Sequence, residues 1–388
     1  MFRIYLDNNA TTPVLPEVLE AMRPYFGEHF GNASSIHHHG QETRSAVEHA
    51  RDSVASLLGC QSSEVVFTSG GTEGDNLAIA GLASPGDHII TSSIEHHAVL
   101  LTCKHLEEAG CEVTCVPVDV RGLVDPDDVR RALRPNTKLI SIMLANNETG
   151  VLQPVEEIGK IAAEADVYFH NDAVQAAGKV PIDVRRTHCD ALSISSHKMH
   201  GPQGVGALFV RKGTQLQPLF YGGRHERSRR AGTENVPGIV ALGKAAKMAM
   251  EGFARGDDKK MSILRDRLQQ GILAQVEDAS VNGEGVPRVP NTTNIVFDHI
   301  DGESMVISLD LKGLAVSTGA ACSSGAIEPS HVLTAMGLRP DQARASIRFS
   351  LGKQNTAEEI DLVLALVPET IARLRELSPA YRKEVIRS

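Results

Sequence analysis

The stretch SISSHKMHGPQGVGALFV, residues 193–210, places two apolar β-like runs on either side of a glycine-rich loop that begins near Lys198. Lys198 follows the first run and stands close to Ser195 and His197. A lysine that packing holds at the end of a strand can attack a carbonyl group and form a Schiff base, whereas a solvated loop lysine is the ordinary alternative. The stretch predicts two strands of one sheet and leaves the role of Lys198 to be decided by other residues.

Over a longer range that ends with this stretch, from about Glu64 to Val210, short β-rich runs alternate with helix-like segments such as NLAIAGLA and PVEEIGKIAAEA. This alternation is typical of a doubly wound α/β sheet with mostly parallel strands. The sequence predicts seven strands in the runs EVVFTS, HIITSS, CEVTCVPV, KLISIML, VYFH, ALSISS and VGALFV. Because ligands collect beyond the carboxyl ends of such strands, we expect the chemistry in the residues that follow each run.

Downstream of about Lys244 the pattern changes to KAAKMAMEGFARGDDKKMSILRDRLQQGILAQV, which predicts one long helix that links two parts of the chain. Short β-runs such as TTNIVFDHI follow, and a closing helix is expected near AEEIDLVLALVPETIARLREL. We therefore predict a large domain over residues 15–250 and a smaller α+β domain formed by residues 1–14 and 251–388.

The composition excludes several classes of protein. The 388 residues are 41% hydrophobic, with a net charge of -9 and a pI near 6.0, and their Lys and Arg form no stripe interleaved with aromatic residues, so nucleic-acid binding is not expected. No run approaches the roughly 20 apolar residues that cross a bilayer, and the N-terminus resembles no signal peptide, so we expect a cytoplasmic protein without membrane contact. The six cysteines lack zinc spacing, so we expect neither a disulfide framework nor a metal.

Two further segments point, with Lys198, to one cofactor. In TSGGTEGDNLAI a β-run ends at Ser69, two glycines follow, and a helix opens at Thr72. Free N–H groups there would favour an anion, so we call residues 70–72 the phosphate cradle, although such a sequence is also an ordinary helix cap. In YFHNDAVQAAGK, Asp172 follows a β-run, and Gln175 is the next position that is expected to face inward. A carboxylate that keeps a pyridine nitrogen protonated is the partner of lysine-bound pyridoxal phosphate, so the three features together predict that cofactor.

The chain resembles the cysteine desulfurases of the NifS/IscS type, which are fold-type I pyridoxal-phosphate-dependent transferases. The resemblance covers essentially the whole length and rests on motifs in the family's order: YLDNNATTPV, FGNASSIH, FTSGGTE, EHHAVL, ANNETGVLQPVEEIG, DAVQAAGKVPIDV, SHKMHGPQGVGALFV, RRAGTENVPG, STGAACSSG, PSHVL and SIRFSLG. It implies a large domain with a mostly parallel seven-stranded sheet, a smaller α+β domain and a pyridoxal-phosphate-dependent enzyme.

The resemblance also implies roles for the matching residues. Lys198 would carry the cofactor and act as base, Asp172 would pair with the pyridinium nitrogen, and Gln175 would contact the ring hydroxyl oxygen. His96 would stack on the ring and exchange a proton with the substrate thiol. The residues implied in cofactor binding are Gly71, Thr72, His96, Asp172, Gln175, Ser195, His197, Lys198 and Thr233.

Cys322 decides which reaction the resemblance implies. It lies in STGAACSSGAIEPSH, whose small residues and glycines are typical of a loop, and an accessible thiol supplies some thiolate near neutral pH. Cys322 would take the sulfur of L-cysteine as a persulfide, release L-alanine and pass the sulfur to an iron–sulfur scaffold or another acceptor protein. Asn147 and Arg348 would bind the substrate carboxylate, which the planar guanidinium suits. Thr233 would reach the cofactor phosphate of a neighbouring subunit, so a homodimer is expected.

Three alternatives remain. An aminotransferase, a selenocysteine lyase or another β-lyase would use Lys198 and Asp172 without a loop cysteine. A binding or scaffold protein would keep the fold without catalysis. A metal site would use residues 37–39 with His96 and His97, although adjacent histidines point apart.

Two positions depart from the family pattern. Gln203 stands where a lysine is common, and His97 stands where proline or lysine is commoner. The stretches GGRHERSRRAGTEN and LRELSPAY resemble the NifS side of the family, yet the choice between nitrogen fixation and housekeeping cluster assembly stays open.

Overall fold

A computed structural model of the protein describes residues 3–319 and 328–377. Over these residues the chain forms twelve strands and thirteen α-helices. The strands are β1 (Ile4–Tyr5), β2 (Val65–Thr68), β3 (His88–Ser92), β4 (Glu112–Val116), β5 (Thr137–Ser141), β6 (Tyr168–Asp172), β7 (Ala191–Ser195), β8 (Gly206–Val210), β9 (Ala279–Asn282), β10 (Thr292–Phe297), β11 (Leu314–Ala315) and β12 (Ser346–Ser350). The helices are α1 (Pro16–Met22), α2 (His38–Leu58), α3 (Gly71–Leu82), α4 (His97–Glu108), α5 (Pro126–Ala132), α6 (Val155–Glu164), α7 (Val184–Thr187), α8 (Val236–Arg255), α9 (Asp257–Leu273), α10 (Gly302–Leu311), α11 (His331–Ala335), α12 (Pro340–Arg344) and α13 (Ala357–Leu377).

The central layer is a seven-stranded sheet with the strand order β2-β8-β7-β6-β5-β3-β4. Strands β3 to β7 run parallel to one another, and β8 is antiparallel to both β2 and β7. Strands β2, β3, β7 and β8 are buried along their whole length, as expected for strands of a sheet that helices cover on both faces. The prediction of a mostly parallel seven-stranded sheet is confirmed.

Helices cover both faces of this sheet. Successive side chains of a strand point to opposite faces, so Val65 and Phe67 pack with α2 and α8, whereas Val66 packs with α3 and α4. Two apolar layers therefore hold the sheet, and its strand ends remain open for polar residues.

A second, antiparallel sheet has the order β12-β10-β9. Phe297 and Phe349 of this sheet pack with residues of α9, α10 and α13. Ile4 and Leu6 join the same apolar cluster, and β1 pairs in parallel with β11. The first residues of the chain thus pack with its last third, while the exact domain boundaries stay a prediction.

The expectation of one long linking helix is wrong at Gly256. Helix α8 ends at Arg255, Gly256 adopts a left-handed φ of 73°, and α9 begins at Asp257. Glycine takes this conformation without steric penalty, and Asp257 and Asp258 favour the start of a new helix. None of the helices in the described part of the chain is long and apolar enough to cross a bilayer.

Candidate active site

A cavity of about 390 Å³ opens between the carboxyl ends of the parallel strands and the three-stranded sheet. Asp172 ends β6, Lys198 follows β7, and Gly71 opens α3 after β2, so the strand-end rule accounts for this part of the lining. The predicted site residues that line the cavity are Gly71, Thr72, His96, Asn147, Asp172, Gln175, Ser195, His197, Lys198 and Arg348. Residues far apart in the sequence thus meet in one space.

Lys198 is half-buried, and main-chain carbonyl groups hold its amine. Its Nζ donates to Asn9 O at 2.6 Å and to Ala10 O at 2.7 Å. Burial lowers the pKa of Lys198 to about 8, and Arg348 acts in the same direction, while Asp7 and Asp172 oppose the change. About a tenth of the amine is then neutral at pH 7, far more than for an ordinary lysine.

Asn9 connects Lys198 to two other side chains of the cavity region. Asn9 O accepts from Gln175 Nε2 at 2.9 Å, and Asn9 Oδ1 accepts from Lys179 Nζ at 2.8 Å. Lys179 Nζ also donates to Gln175 Oε1 at 2.6 Å. Because the oxygen of Gln175 faces Lys179, its amide nitrogen is the end that can face a ligand. Sequence reasoning assigned no role to Asn9 or Lys179, although both lie in motifs that carried the resemblance.

Lys179 is a second amine with an altered pKa. Burial lowers its pKa well below the usual value, and the charges of Lys198 and Arg348 act in the same direction. It forms no ion pair with any described carboxylate. Lys179 therefore donates the two hydrogen bonds that orient Gln175 and Asn9.

Asp172 is a buried acid at the floor of the cavity. Its Oδ1 accepts from Val174 N at 2.9 Å. Burial raises the pKa of Asp172, although His96, the Val174 N–H group and Lys198 all act to lower it. A positive group in the cavity would stabilise the carboxylate form.

Two buried ionisable side chains, those of His170 and Asp75, lie near Asp172. His170 bonds to Ser141 Oγ at 2.9 Å and Ser193 Oγ at 3.0 Å, and burial lowers its pKa to about 3. Burial and the charge of Asp172 raise the pKa of Asp75 well above its usual value. Burial therefore disfavours the charged forms of both His170 and Asp75.

The phosphate cradle depends on glycine. Gly70 has a φ of 152°, which side-chain residues rarely adopt, and a Cβ on Gly71 would lie 2.6 Å from Val174 Cγ2. Gly70 offers no side chain to cap α3, so the first N–H groups of this helix are free for an anion. Burial lowers the pKa of His197 to about 4, so it lines the cavity as a neutral ring bonded to Thr11 Oγ1.

Arg348 reaches the cavity from the middle of β12. Its Nη1 donates to Asn147 O at 2.9 Å, and its Nη2 donates to Asp7 Oδ1 at 2.7 Å. Its Nε and the Oδ1 of Asn147 are buried without a hydrogen-bond partner among the described residues. Buried polar atoms are normally paired, so these two indicate where a polar ligand binds.

The aminotransferase class-V family pattern matches residues 4–363. "Cysteine desulfurase IscS" of Methanosarcina thermophila is 52% identical over 98% of this chain and 95% of its own length. The solved structure of a NifS-like protein matches with a TM-score of 0.89 and 39% identity over 96% of this chain and 100% of its own. The chain belongs to the aminotransferase class-V family. A structure of SspA in complex with cysteine also matches, with a TM-score of 0.80 and 38% identity over 91% of this chain and 99% of its own.

Membership of the class-V family, with cysteine desulfurases as relatives, confirms the predicted fold and the dependence on pyridoxal phosphate. The residues of this class-V chain fit that cofactor. Asp172 is a buried acid without a bonded cation among the described residues, the phosphate cradle offers free N–H groups, and the amine of Lys198 is partly neutral near pH 7.

His96 caps α4, where its Nδ1 accepts from Ala98 N at 3.1 Å, and its ring is open to the cavity. Burial lowers the pKa of His96, and Asp172 opposes this change. His97 instead lies against His331, with ring centroids 4.8 Å apart. In the described ranges no three His, Cys, Asp or Glu side chains are arranged to hold a metal ion.

The opposite wall contains a pair that sequence reasoning missed. Ser330 Oγ donates to Glu148 Oε2 at 2.5 Å, and burial raises the pKa of Glu148. Nothing local in ANNETG or PSHVL indicates that these residues meet, because they are 182 positions apart.

Two predicted residues are not among the lining residues that the structure describes. Thr233 is exposed and lies outside it. Cys322 lies outside the described residues, but Gly319 and Glu328, which border that stretch, both line the cavity.

Proposed function

We propose that this class-V enzyme desulfurates L-cysteine to L-alanine and carries the sulfur as a persulfide on Cys322 before passing it to an acceptor protein for iron–sulfur cluster assembly. The observation that carries the proposal is the meeting of Lys198, Asp172 and Arg348 in one cavity whose lining includes both borders of the Cys322 segment. The relatives named cysteine desulfurase and the cysteine complex of SspA support the substrate.

Arg348 and Asn147 would bind the carboxylate of the amino acid. Two of the five N–H groups of Arg348 are engaged, and Nε with the remaining Nη protons can meet a carboxylate in two parallel hydrogen bonds. The side-chain NH2 group of Asn147 would donate a further bond to the carboxylate. This grip would fix the position of the substrate Cα.

Pyridoxal phosphate, when bound, withdraws electrons from the substrate Cα and so weakens the bonds to that carbon. Lys198 in its neutral form would take the Cα proton on Nζ, and His96 would exchange a proton with the substrate thiol. The Cys322 thiolate would attack the substrate sulfur, and the S–Cβ bond would break with its electron pair on carbon. Cβ would then take a proton, Lys198 would return a proton to Cα, and L-alanine would leave.

The test follows sulfur on the protein. After reaction with L-cysteine without reductant, we expect mass spectrometry of alkylated peptides to find the additional sulfur on the peptide that contains Cys322. Cys322→Ala should lose the persulfide and nearly all alanine formation, whereas Cys115→Ala, which removes an exposed cysteine of β4, should keep both. Full alanine formation by Cys322→Ala would refute the assignment.

The alternative enzymes are separated by their products. With a keto acid as amino acceptor, an aminotransferase would yield a new amino acid and no alanine from cysteine. A selenocysteine lyase would prefer selenocysteine and would not need Cys322. Alanine from cysteine that depends on both Lys198 and Cys322 is expected here.

We also propose a homodimer in which Thr233 reaches the cofactor phosphate of the neighbouring subunit. Exposure of Thr233 outside the cavity of its own chain supports this arrangement, and so does the exposure of the large side chains Phe26, Phe30, Ile36, Phe220 and Tyr221. Mixed Lys198→Ala and Thr233→Ala subunits should regain cofactor binding, because one site of each hybrid has both residues intact. The cytoplasmic location and the identity of the acceptor stay predictions.

A further inference from the structure

An ion pair joins the first turn of α3 to the arginine-rich segment, which we define as residues 222–230. Arg230 Nε donates to Glu73 Oε1 at 2.8 Å, and Arg230 Nη2 donates to Glu73 Oε2 at 3.2 Å. The side chain of Glu73 is 8% exposed and that of Arg230 is 23% exposed. The two residues are 157 positions apart, so the pair is a tertiary link and not a product of helix geometry.

Glu73 is placed where it would oppose a bound phosphate. It lies directly after the phosphate cradle, and its Oε2 also accepts from Ser69 N at 2.7 Å. Burial acts to raise the pKa of Glu73, but the bonds from Arg230 and Ser69 outweigh burial and lower the pKa, so Glu73 is ionised. The helix end attracts this carboxylate and a phosphate alike, and two anions at one helix end repel each other.

We propose that Arg230 is a positioning residue for cofactor binding: it holds and neutralises Glu73, so that no uncompensated carboxylate opposes the cofactor phosphate at the phosphate cradle. This inference rests on the proposed placement of the phosphate at Gly71 and Thr72. Neither Arg230 nor Glu73 lines the cavity, so the effect of Arg230 passes through Glu73.

The arginine-rich segment is anchored well enough to hold Arg230 in place. Glu226 accepts from Arg51 Nη1 at 2.7 Å, from Arg51 Nη2 at 2.8 Å and from Phe67 N of β2 at 2.9 Å. Glu226 and the next two residues have positive φ values of 46°, 56° and 65°, which non-glycine residues adopt only when their surroundings stabilise them. The segment is therefore fastened to the strand before the phosphate cradle and to the helix after it.

The test measures the binding of inorganic phosphate to the apoenzyme by thermal shift and the binding of pyridoxal phosphate by absorbance. Arg230→Gln should weaken both ligands by on the order of tenfold or more, because Glu73 keeps its charge beside the phosphate cradle. Glu73→Gln should bind phosphate at least as well as the wild type. Arg230→Gln combined with Glu73→Gln should recover most of the loss, and Arg230→Lys should retain most of the affinity.

Two controls separate this mechanism from a structural lesion. Pyridoxal lacks the phosphate, so its binding should change little in Arg230→Gln. Arg224→Gln, which alters an exposed arginine of the same segment, should bind all three ligands like the wild type.

Three outcomes would overturn the inference: an equal loss in the single and double variants, a parallel loss of pyridoxal binding, or weaker phosphate binding by Glu73→Gln. The last criterion decides the matter even if Arg230→Gln does not fold. Phosphate binding needs neither cysteine nor Cys322, so failure of the proposed function would leave these results interpretable.

Discussion

The seven-stranded sheet places Asp172 and Lys198 at the ends of strands, whereas the three-stranded sheet places Arg348 in the middle of one. At a strand end the backbone leaves the ladder, and the loop can present several groups to a ligand. In β12, Arg348 keeps its main chain bonded to Ser317, and Asp7 fixes its guanidinium. The strand ends of the seven-stranded sheet, which we call the strand-end region, carry the groups with altered pKa values. The middle of β12, the mid-strand region, carries a permanent charge in a fixed position.

This difference gives each region a distinct kinetic signature. Groups that exchange protons affect the chemical step and hence kcat, while a fixed charge that binds substrate affects KM more strongly. Substitutions in the two regions therefore test whether the regions differ in their effects on kcat and KM.

The largest effect is expected for Lys198→Ala. Loss of the amine removes the base, so kcat for alanine formation should fall by about 1000-fold or more, a change that steady-state assays with L-cysteine measure. Lys212→Ala, which removes an exposed lysine, should behave like the wild type. Retention of a large part of the activity by Lys198→Ala would contradict the assignment.

Arg348→Lys should come next, with a different signature. A lysine keeps the charge but cannot form two parallel bonds to a carboxylate, so KM should rise by roughly 10- to 100-fold with a smaller loss of kcat. A fall in kcat at unchanged KM would place Arg348 in the same functional class as Lys198 and end the distinction between the two sheets.

Asp7→Asn should have a smaller effect that reaches both regions. It removes the carboxylate charge that Arg348 Nη2 contacts, so Arg348 is held less firmly and KM should rise a few-fold. It also removes a negative charge that raises the pKa of Lys198. The pKa of Lys198 should fall below about 8, and amine-selective labelling of the apoenzyme at Lys198 should begin at lower pH. Asp341→Asn, at an exposed surface pair, is the matched control. An unchanged labelling profile would show that Asp7 does not act on Lys198.

Lys179→Met should have the smallest kinetic effect, a few-fold loss of kcat/KM, because only the orientation of Gln175 and Asn9 is disturbed. Its clearest signature is the pH dependence of stability. The pKa of Lys179 is lower in the folded chain than in the unfolded one, so the unfolded state binds more protons between those values and the wild type gains stability as pH rises.

The apoenzyme of Lys179→Met lacks that gain. The melting temperature of the wild type should therefore increase relative to the variant between neutral pH and about pH 10. A difference that does not change with pH would contradict the lowered pKa of Lys179.

Local sequence patterns predicted the strand-end region well. Continuous apolar runs indicated buried parallel strands, and the position of Lys198 and Asp172 after such runs followed from the geometry of α/β sheets. The helix boundary at Gly256 was not predicted, because a single glycine is often tolerated inside a helix. Only the two aspartates after Gly256 marked the start of a new helix.

The mid-strand region was predicted only by resemblance. Arg348 has no local signal, since a single arginine in a strand is an ordinary surface residue. Asn9 and Lys179 were missed because three of their bonds join residues that are 166 to 189 positions apart along the chain, and no periodic pattern reports such contacts. Polar networks of this kind become visible only when the whole fold is assembled.

The position of Asn9 near the start of the chain has a consequence for biosynthesis. Ribosomes release a chain from its first residues onward, and Asn9 N bonds to Ser350 Oγ, 341 residues later. Nascent chains that end before β12 leave Asn9 without this anchor and lack Arg348. The pocket that holds the reactive amine can therefore be completed only when synthesis has passed β12.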